Sequence, residues 1–158
     1  MNGPEQMVTE VQSIPAQKPR ILFVCVGNTC RSVLAEYITR RKFGGLLEAT
    51  SAGLRPGTID DMANAVYTLK RLLNVDASGH RPRDIREVDV AAFDLLIAMD
   101  NHIARELLQL FPALPPDRVI RWRIKDPYGD NLAECEHCAK LVYRELKKLP
   151  MLKVGQQP

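Results

Sequence analysis

The stretch Ile21-Leu22-Phe23-Val24-Cys25-Val26-Gly27-Asn28-Thr29-Cys30-Arg31-Ser32 decides the fold. Its first five residues are a continuous apolar run containing β-branched and aromatic side chains. That is the pattern of a strand buried on both faces, as in a parallel sheet. Val26 to Thr29 reads as a turn, and Gly27 and Asn28 both tolerate left-handed backbone. A helical pattern follows, with Leu34, Tyr37, Ile38 and Arg41 at helix spacing, and Gly44-Gly45 stops it.

The alternation continues downstream. Leu46 to Ser51 reads as a second strand, closed by Gly53 and Pro56. Asp60 and Asp61 are suited to cap a helix whose apolar stripe is Met62, Val66, Leu69 and Leu73. Phe93 to Met99 is a third strand. Asp100 or Asn101 can cap the helix carrying Ile103, Leu107 and Leu110, which Pro112 ends. Arg118 to Trp122 is a more polar fourth strand, suited to a sheet edge. The last helix places Cys135, Cys138, Val142, Leu146 and Leu149 on its apolar side. Strand and helix in alternation with short connections predict a single α/β domain: a four-stranded parallel sheet with helices on both faces. Ligands of such sheets bind beyond the carboxyl ends of the strands. The Cys25–Ser32 turn, Met99-Asp100 and Asp126 are therefore expected at one edge.

The 158 residues suit one domain. Residues 1–19, with Pro4, Pro15 and Pro19 and no apolar periodicity, are expected as an N-terminal tail, 20–150 as the domain and 151–158 as a C-terminal tail. The 46% hydrophobic and 26% charged fractions are those of a soluble globular protein. A net charge of +3 without clustering argues against nucleic acid. No apolar run approaches the ~20 residues of a membrane span, and no signal peptide is recognised. Four cysteines without export point to free thiols in the cytoplasm.

The loop after the first strand carries the chemistry. Cys25 ends a strand and Arg31 lies near a helix start, so Val26, Gly27, Asn28, Thr29 and Cys30 can aim backbone N–H groups into a concavity that the helix N-terminus makes positive. A tetrahedral oxyanion fits such a cradle, and Arg31 can clamp two of its oxygens. The same field favours the thiolate of Cys25, the nucleophilic form. Ser32 can donate to that sulfur or to the departing phosphate. The bland alternative, a buried Cys and a surface Arg, leaves the rest of the loop unexplained.

With Asp126-Pro127-Tyr128-Gly129 late in the chain, this loop resembles that of the low-molecular-weight protein-tyrosine-phosphatase family, over about Arg20 to Leu149. The resemblance implies hydrolysis of a protein phosphomonoester through a cysteinyl-phosphate, without metal or cofactor and with a phosphorylated protein as partner. It implies Asp126 as general acid, whereas alone Asp126-Pro127 would read as an ordinary turn. It also implies that Ser51 and His80 support Asn28 and Ser32, and that Val26, Thr29 and Tyr128 line the substrate pocket. Thr29 stands where eukaryotic members carry a larger aliphatic residue, a pattern shared with members resembling protein-arginine phosphatases. Thiol-coupled arsenate reductases resemble the loop but need relay cysteines, which residues 75–100 lack. A non-catalytic phosphate-recognition module is the remaining alternative.

The other cysteines leave readings open. The resemblance implies a reversible Cys25–Cys30 disulfide, against Cys30 as a small filler beneath the loop. Cys135-Glu136-His137-Cys138 invites zinc, but its two cysteines fall on the apolar stripe with His137 off it, and no second pair is free. They are expected to be core thiols.

Overall fold

The computed structural model describes residues 17–127 and 131–155. Strands β1 (Arg20–Cys25), β2 (Glu48–Gly53), β3 (Leu95–Ala98) and β4 (Val119–Arg121) form one sheet in the order β2-β1-β3-β4. Every pairing is parallel, with Cys25 opposite Gly53, Val24 opposite Ala98 and Ile97 opposite Ile120. The helices are α1 (Arg31–Phe43), α2 (Ala63–Leu73), α3 (Asn101–Leu110), α4 (Leu132–Leu146) and α5 (Pro150–Gly155).

Central β1 explains the apolar run. Ile21, Leu22, Phe23 and Val24 are fully buried, because strands flank it and helices cover it. Burying a side chain such as Phe23 contributes roughly 1.5–3 kcal/mol. The steps β1→β2 and β3→β4 run in opposite directions across the sheet. Right-handed crossovers therefore place α1 and α3 on opposite faces. Helices α1, α2 and α4 pack on one another, while α3 contacts β3 and β4. Phe23 and Trp122 meet with ring centroids 5.8 Å apart.

Several boundaries differ from expectation. Leu46 and Leu47 do not open β2, since both their N–H groups bond back to the Phe43 carbonyl at 2.9 Å and complete the helix end. Asp60 and Asp61 do not cap α2. Asp61 instead accepts from the Thr58 N–H and hydroxyl, and Asp60–Met62 forms a 3₁₀ turn before the helix. Phe93 belongs to a turn, its N–H reaching the Val90 carbonyl, so β3 begins at Leu95. Within the expected C-terminal tail, residues 151–155 continue α5, which Pro150 can begin because it lacks an N–H there, and Leu152 is fully buried. Of the expected N-terminal tail, Pro19 already joins the sheet through its carbonyl to the Glu48 N–H, and Lys18 Nζ donates to the Gly44 carbonyl; residues 1–16 lie outside the described residues. Among the described residues no helix is long and apolar enough to cross a membrane.

Candidate active site

The chain leaves β1 for β2 on one side, and β3 pairs on the other, so the carboxyl end of β1 is the switch point of the sheet. Cys25 sits there, 3% exposed. The carbonyls of Cys25, Val26 and Gly27 accept from the N–H groups of Leu54, Arg55 and Gly57 at 3.1, 2.8 and 2.9 Å. In a trans peptide the N–H points opposite to the C=O. The following amides, of Val26, Gly27 and Asn28, are thereby turned away from the 54–57 segment. The Asn28 N–H meets Cys25 Sγ at 3.2 Å. Gly53 permits this close approach, since a Cβ there would stand 2.6 Å from the Val26 carbonyl oxygen. Thr29 lies against Gly57, where a Cβ would come within 2.9 Å of its Cγ2.

Asn28 is fully buried with φ 54°, a left-handed conformation. Its amide is satisfied on every side. Nδ2 donates to Ser32 Oγ and Ser51 Oγ, both at 2.9 Å, and Oδ1 accepts from the Arg83 N–H at 2.9 Å and His80 Nε2 at 3.2 Å. These bonds fix the directions of others. Ser32 Oγ accepts from Asn28, so its own hydrogen is free for Cys25 Sγ, 2.8 Å away. Ser51 accepts likewise and donates to Glu36 Oε1 at 2.6 Å. Glu36, 4% exposed, is paired at 2.7 Å with Arg40 on the surface. Since Asn28 Oδ1 can only accept, His80 Nε2 carries a proton. Burial pushes the His80 pKa down against the opposing pull of Glu36, so the ring is held neutral.

Helix α1 begins with Cys30 as its N-cap, without a side-chain cap and without an acidic residue in the first turn. By contrast Asp100 caps α3 through the Ile103 N–H, and Asn131 caps α4. The first N–H groups of α1 thus keep their capacity for an anion.

Arg31 is 3% exposed, and its Nη1 donates to Asp100 Oδ2 and the Ile124 carbonyl, both at 2.9 Å. Burial works against its charge, but Asp100, Cys25 and Asp126 outweigh that and raise its pKa. Burial likewise opposes the charge of Asp100, yet the Arg31 and Ile103 hydrogen bonds hold its carboxyl below the ordinary carboxylate range. Beyond β4, the Trp122 and Ile124 N–H groups still bond the Ala98 and Met99 carbonyls. This carries Asp126 to the same edge, with Oδ2 3.9 Å from Arg31 Nη2. A cleft of about 330 Å³ opens there between Val26, Arg31, Arg55, Asp100 and Asp126. Tyr128 lies outside the described residues.

The structure thus brings Cys25 through Ser32, Ser51, His80 and Asp126 to one place. Sequence reasoning missed Glu36, and it placed Asp100 at this edge and as a cap but not as the partner that holds Arg31. Cys135 and Cys138 are buried on α4, as core thiols would be. Among the described residues no group of three or more His, Cys, Asp and Glu side chains is gathered as a metal site requires.

The family model for low molecular weight phosphotyrosine protein phosphatase matches residues 20–157. The solved low molecular weight protein tyrosine phosphatase from T. tengcongensis is similar with a TM-score of 0.72 and 32% identity, over 84% of this chain and 100% of that one. The low molecular weight protein-tyrosine-phosphatase Etp of Escherichia coli (strain K12) is 27% identical over 131 residues, 78% of this chain and 87% of its own length. An arsenate reductase of Bacillus cereus (strain AH187) is 26% identical over 133 residues, 83% and 93% of the two chains.

Proposed function

We propose that this chain, which belongs to the low molecular weight phosphotyrosine protein phosphatase family, hydrolyses phosphotyrosine in proteins through a cysteinyl-phosphate. One observation carries the reading. The sulfur at the end of β1 accepts from the Asn28 N–H and faces the Ser32 hydroxyl, at the mouth of an uncapped helix and beside a buried arginine.

Cys25 attacks phosphorus in line with the leaving oxygen, as a thiolate that Asn28 and Ser32 stabilise. Loop N–H groups and the guanidinium of Arg31 hold the equatorial oxygens while charge builds on them. The anchoring of Nη1 by Asp100 and Ile124 sets the plane of that guanidinium. Asp126 gives its proton to the leaving phenolate, then takes one from the water that cleaves the S–P bond. Half-exposed at the cleft, it can exchange protons with solvent between steps. Val26, Gly27, Thr29 and Cys30 complete the cradle. Ser51 and His80 act through Asn28. The reaction needs no metal or cofactor, and four free thiols suit a cytoplasmic setting.

The test is phosphatase kinetics on phosphotyrosine and phosphoarginine peptides side by side, with arsenate reduction as a third arm. Phosphotyrosine is expected to be turned over most efficiently, and Cys25→Ser is expected to abolish turnover while still binding vanadate. Faster turnover of phosphoarginine reassigns the substrate to the Thr29 pocket wall. Near-normal turnover in Cys25→Ser overturns the mechanism.

A further inference from the structure

Cys30 and Cys135 are far apart in sequence but touch in space. Cys30 leads the loop into α1 and is half-buried, whereas Cys135 is buried on α4, and their sulfurs lie 3.9 Å apart. All four cysteines are free thiols. A disulfide needs an S–S distance of about 2.05 Å, so the two sulfurs have to approach by roughly 2 Å to bond. Cys138 follows one turn later on the same helix and is also buried. The sulfur of Cys25 differs from these in its partners, the Asn28 N–H and the Ser32 hydroxyl. Donors placed at a departing sulfur assist its release in thiol–disulfide exchange.

We propose that Cys135 is the terminal thiol of an oxidation relay, receiving a disulfide from the phosphate loop and returning Cys25 to the reduced state. The relay takes Cys25 as the reactive thiol from the reading above. A peroxide transfers oxygen to Cys25; the O–O bond breaks, the sulfur is oxidised by two electrons to a sulfenic acid, and the peroxide leaves as an alcohol or water. Cys30 then displaces that hydroxyl, forming the Cys25–Cys30 bond, and its thiol proton departs with the hydroxyl as water. Cys135 next attacks Cys30 Sγ. The Cys30–Cys135 bond forms, the Cys25–Cys30 bond breaks, and the proton lost by Cys135 ends on Cys25 or in solvent. No further oxidant is consumed in that exchange. The contact with Cys30 and burial push the Cys135 thiol up. The exchange therefore accelerates with pH, since the thiolate is the attacking form.

Trypsin separates the outcomes. Residues 21–31 carry Cys25 and Cys30 on one peptide, and 126–140 carry Cys135 and Cys138 on another. Full-length protein is oxidised with a small excess of hydrogen peroxide, quenched with iodoacetamide over time and mapped without reduction. The cross-linked pair of peptides, joined at Cys30 and Cys135 with Cys25 alkylated, is expected to replace an early 21–31 internal disulfide. Phosphatase activity is expected to return with it. Cys138→Ala is expected to behave as wild type, and Cys135→Ala to stay at the internal disulfide until a dithiol is added. An internal disulfide that persists in wild type, or a link to Cys138, overturns the relay. Wild-type mapping decides the matter even where a variant folds poorly. Loss of the phosphatase reading shows separately, as absent turnover in the untreated protein.

Discussion

Replacing Asn28 by glycine and by alanine separates the two things this residue does. Both changes remove the amide, leaving the Arg83 N–H and His80 Nε2–H without their acceptor. Leaving the buried His80 donor unpaired costs roughly 1–3 kcal/mol, with a smaller loss at the part-buried Arg83 N–H, so both variants are expected to lose at least about 1–3 kcal/mol. That is an appreciable part of the ~5–15 kcal/mol of a typical domain. They differ in backbone. At φ 54° alanine carries a penalty of about 1–2 kcal/mol, and glycine carries none. Glycine in turn loses about 0.4–1 kcal/mol through the freedom of its unfolded chain. Asn28→Gly is thus expected to be the more stable by roughly 0.5–1 kcal/mol, the reverse of the usual order. For a chain of this size that is about 1–4 °C in melting temperature. Paired urea and thermal unfolding curves read it directly. Alanine equal to or better than glycine, or a loss below about 1 kcal/mol in both, would refute the argument.

Arg31→Lys is expected to lower kcat severely with little change in melting temperature, because an ammonium cannot hold Asp100, the Ile124 carbonyl and two phosphate oxygens in one plane; comparable kcat would remove the clamp from the mechanism. Asp126→Asn is expected to slow phosphorylation of the enzyme by phenyl phosphate by about 10²–10⁴-fold, and less by nitrophenyl phosphate, whose anion leaves unaided; equal small losses in rapid-quench measurements would place the acid elsewhere, with Asp100 next in line. Gly53→Ala is expected to destabilise by about 1–3 kcal/mol through overpacking against the Val26 carbonyl, and a melting temperature within a degree of wild type would contradict the close approach. Acid is expected to act in two stages. The folded pKa of His80 is lowered, so below the unfolded value of ~6.5 the unfolded chain binds the proton first and stability falls as pH drops toward the folded value. Asp100, also lowered, stabilises above ~3.9 and loses its contribution as pH falls through its folded pKa. His80→Gln is expected to lack the first stage, and a stability curve parallel to wild type between pH 7 and 5 would exclude His80 as its source.

The strands and helices were legible where burial imposes a period. Ile21 to Cys25 shows itself because both faces of β1 are covered, and Ile103 and Leu107 because one face of α3 is. Ends were legible only where the chain closes its hydrogen bonds locally in a way that residue type announces. Asp100 could be read as a cap, since its carboxylate takes the Ile103 N–H three residues on. Leu46 and Leu47 read as strand because nothing in two leucines says that their N–H groups turn back to Phe43. Leu152 read as tail because one apolar residue in a short segment has no period.

The same division runs through the candidate site. Cys25, Gly27, Asn28, Arg31 and Ser32 could be found because one loop needs all of them, and a loop is contiguous in sequence. Glu36 could not, because Glu36 with Arg40 four residues later is the ordinary pattern of an exposed helix pair. Its burial comes from Ser51, which returns from β2, and His80, which returns from beyond α2, and only the folded sheet brings these together. The consequence is mechanical. Arg40 is half in solvent, and from it an unbroken line of contacts runs through Glu36, Ser51, Asn28 and Ser32 to the Cys25 sulfur. Each member has its donors and acceptors assigned by its neighbours. A rotation of the Ser51 hydroxyl hydrogen away from Glu36 would turn it against the Asn28 Nδ2 donor, and so would disturb the amide that orients the Ser32 hydroxyl facing the sulfur. The orientation of the nucleophile's partners is therefore set by residues from β2, from the segment after α2 and from the middle of α1, which reach the phosphate cradle only through the Asn28 side chain.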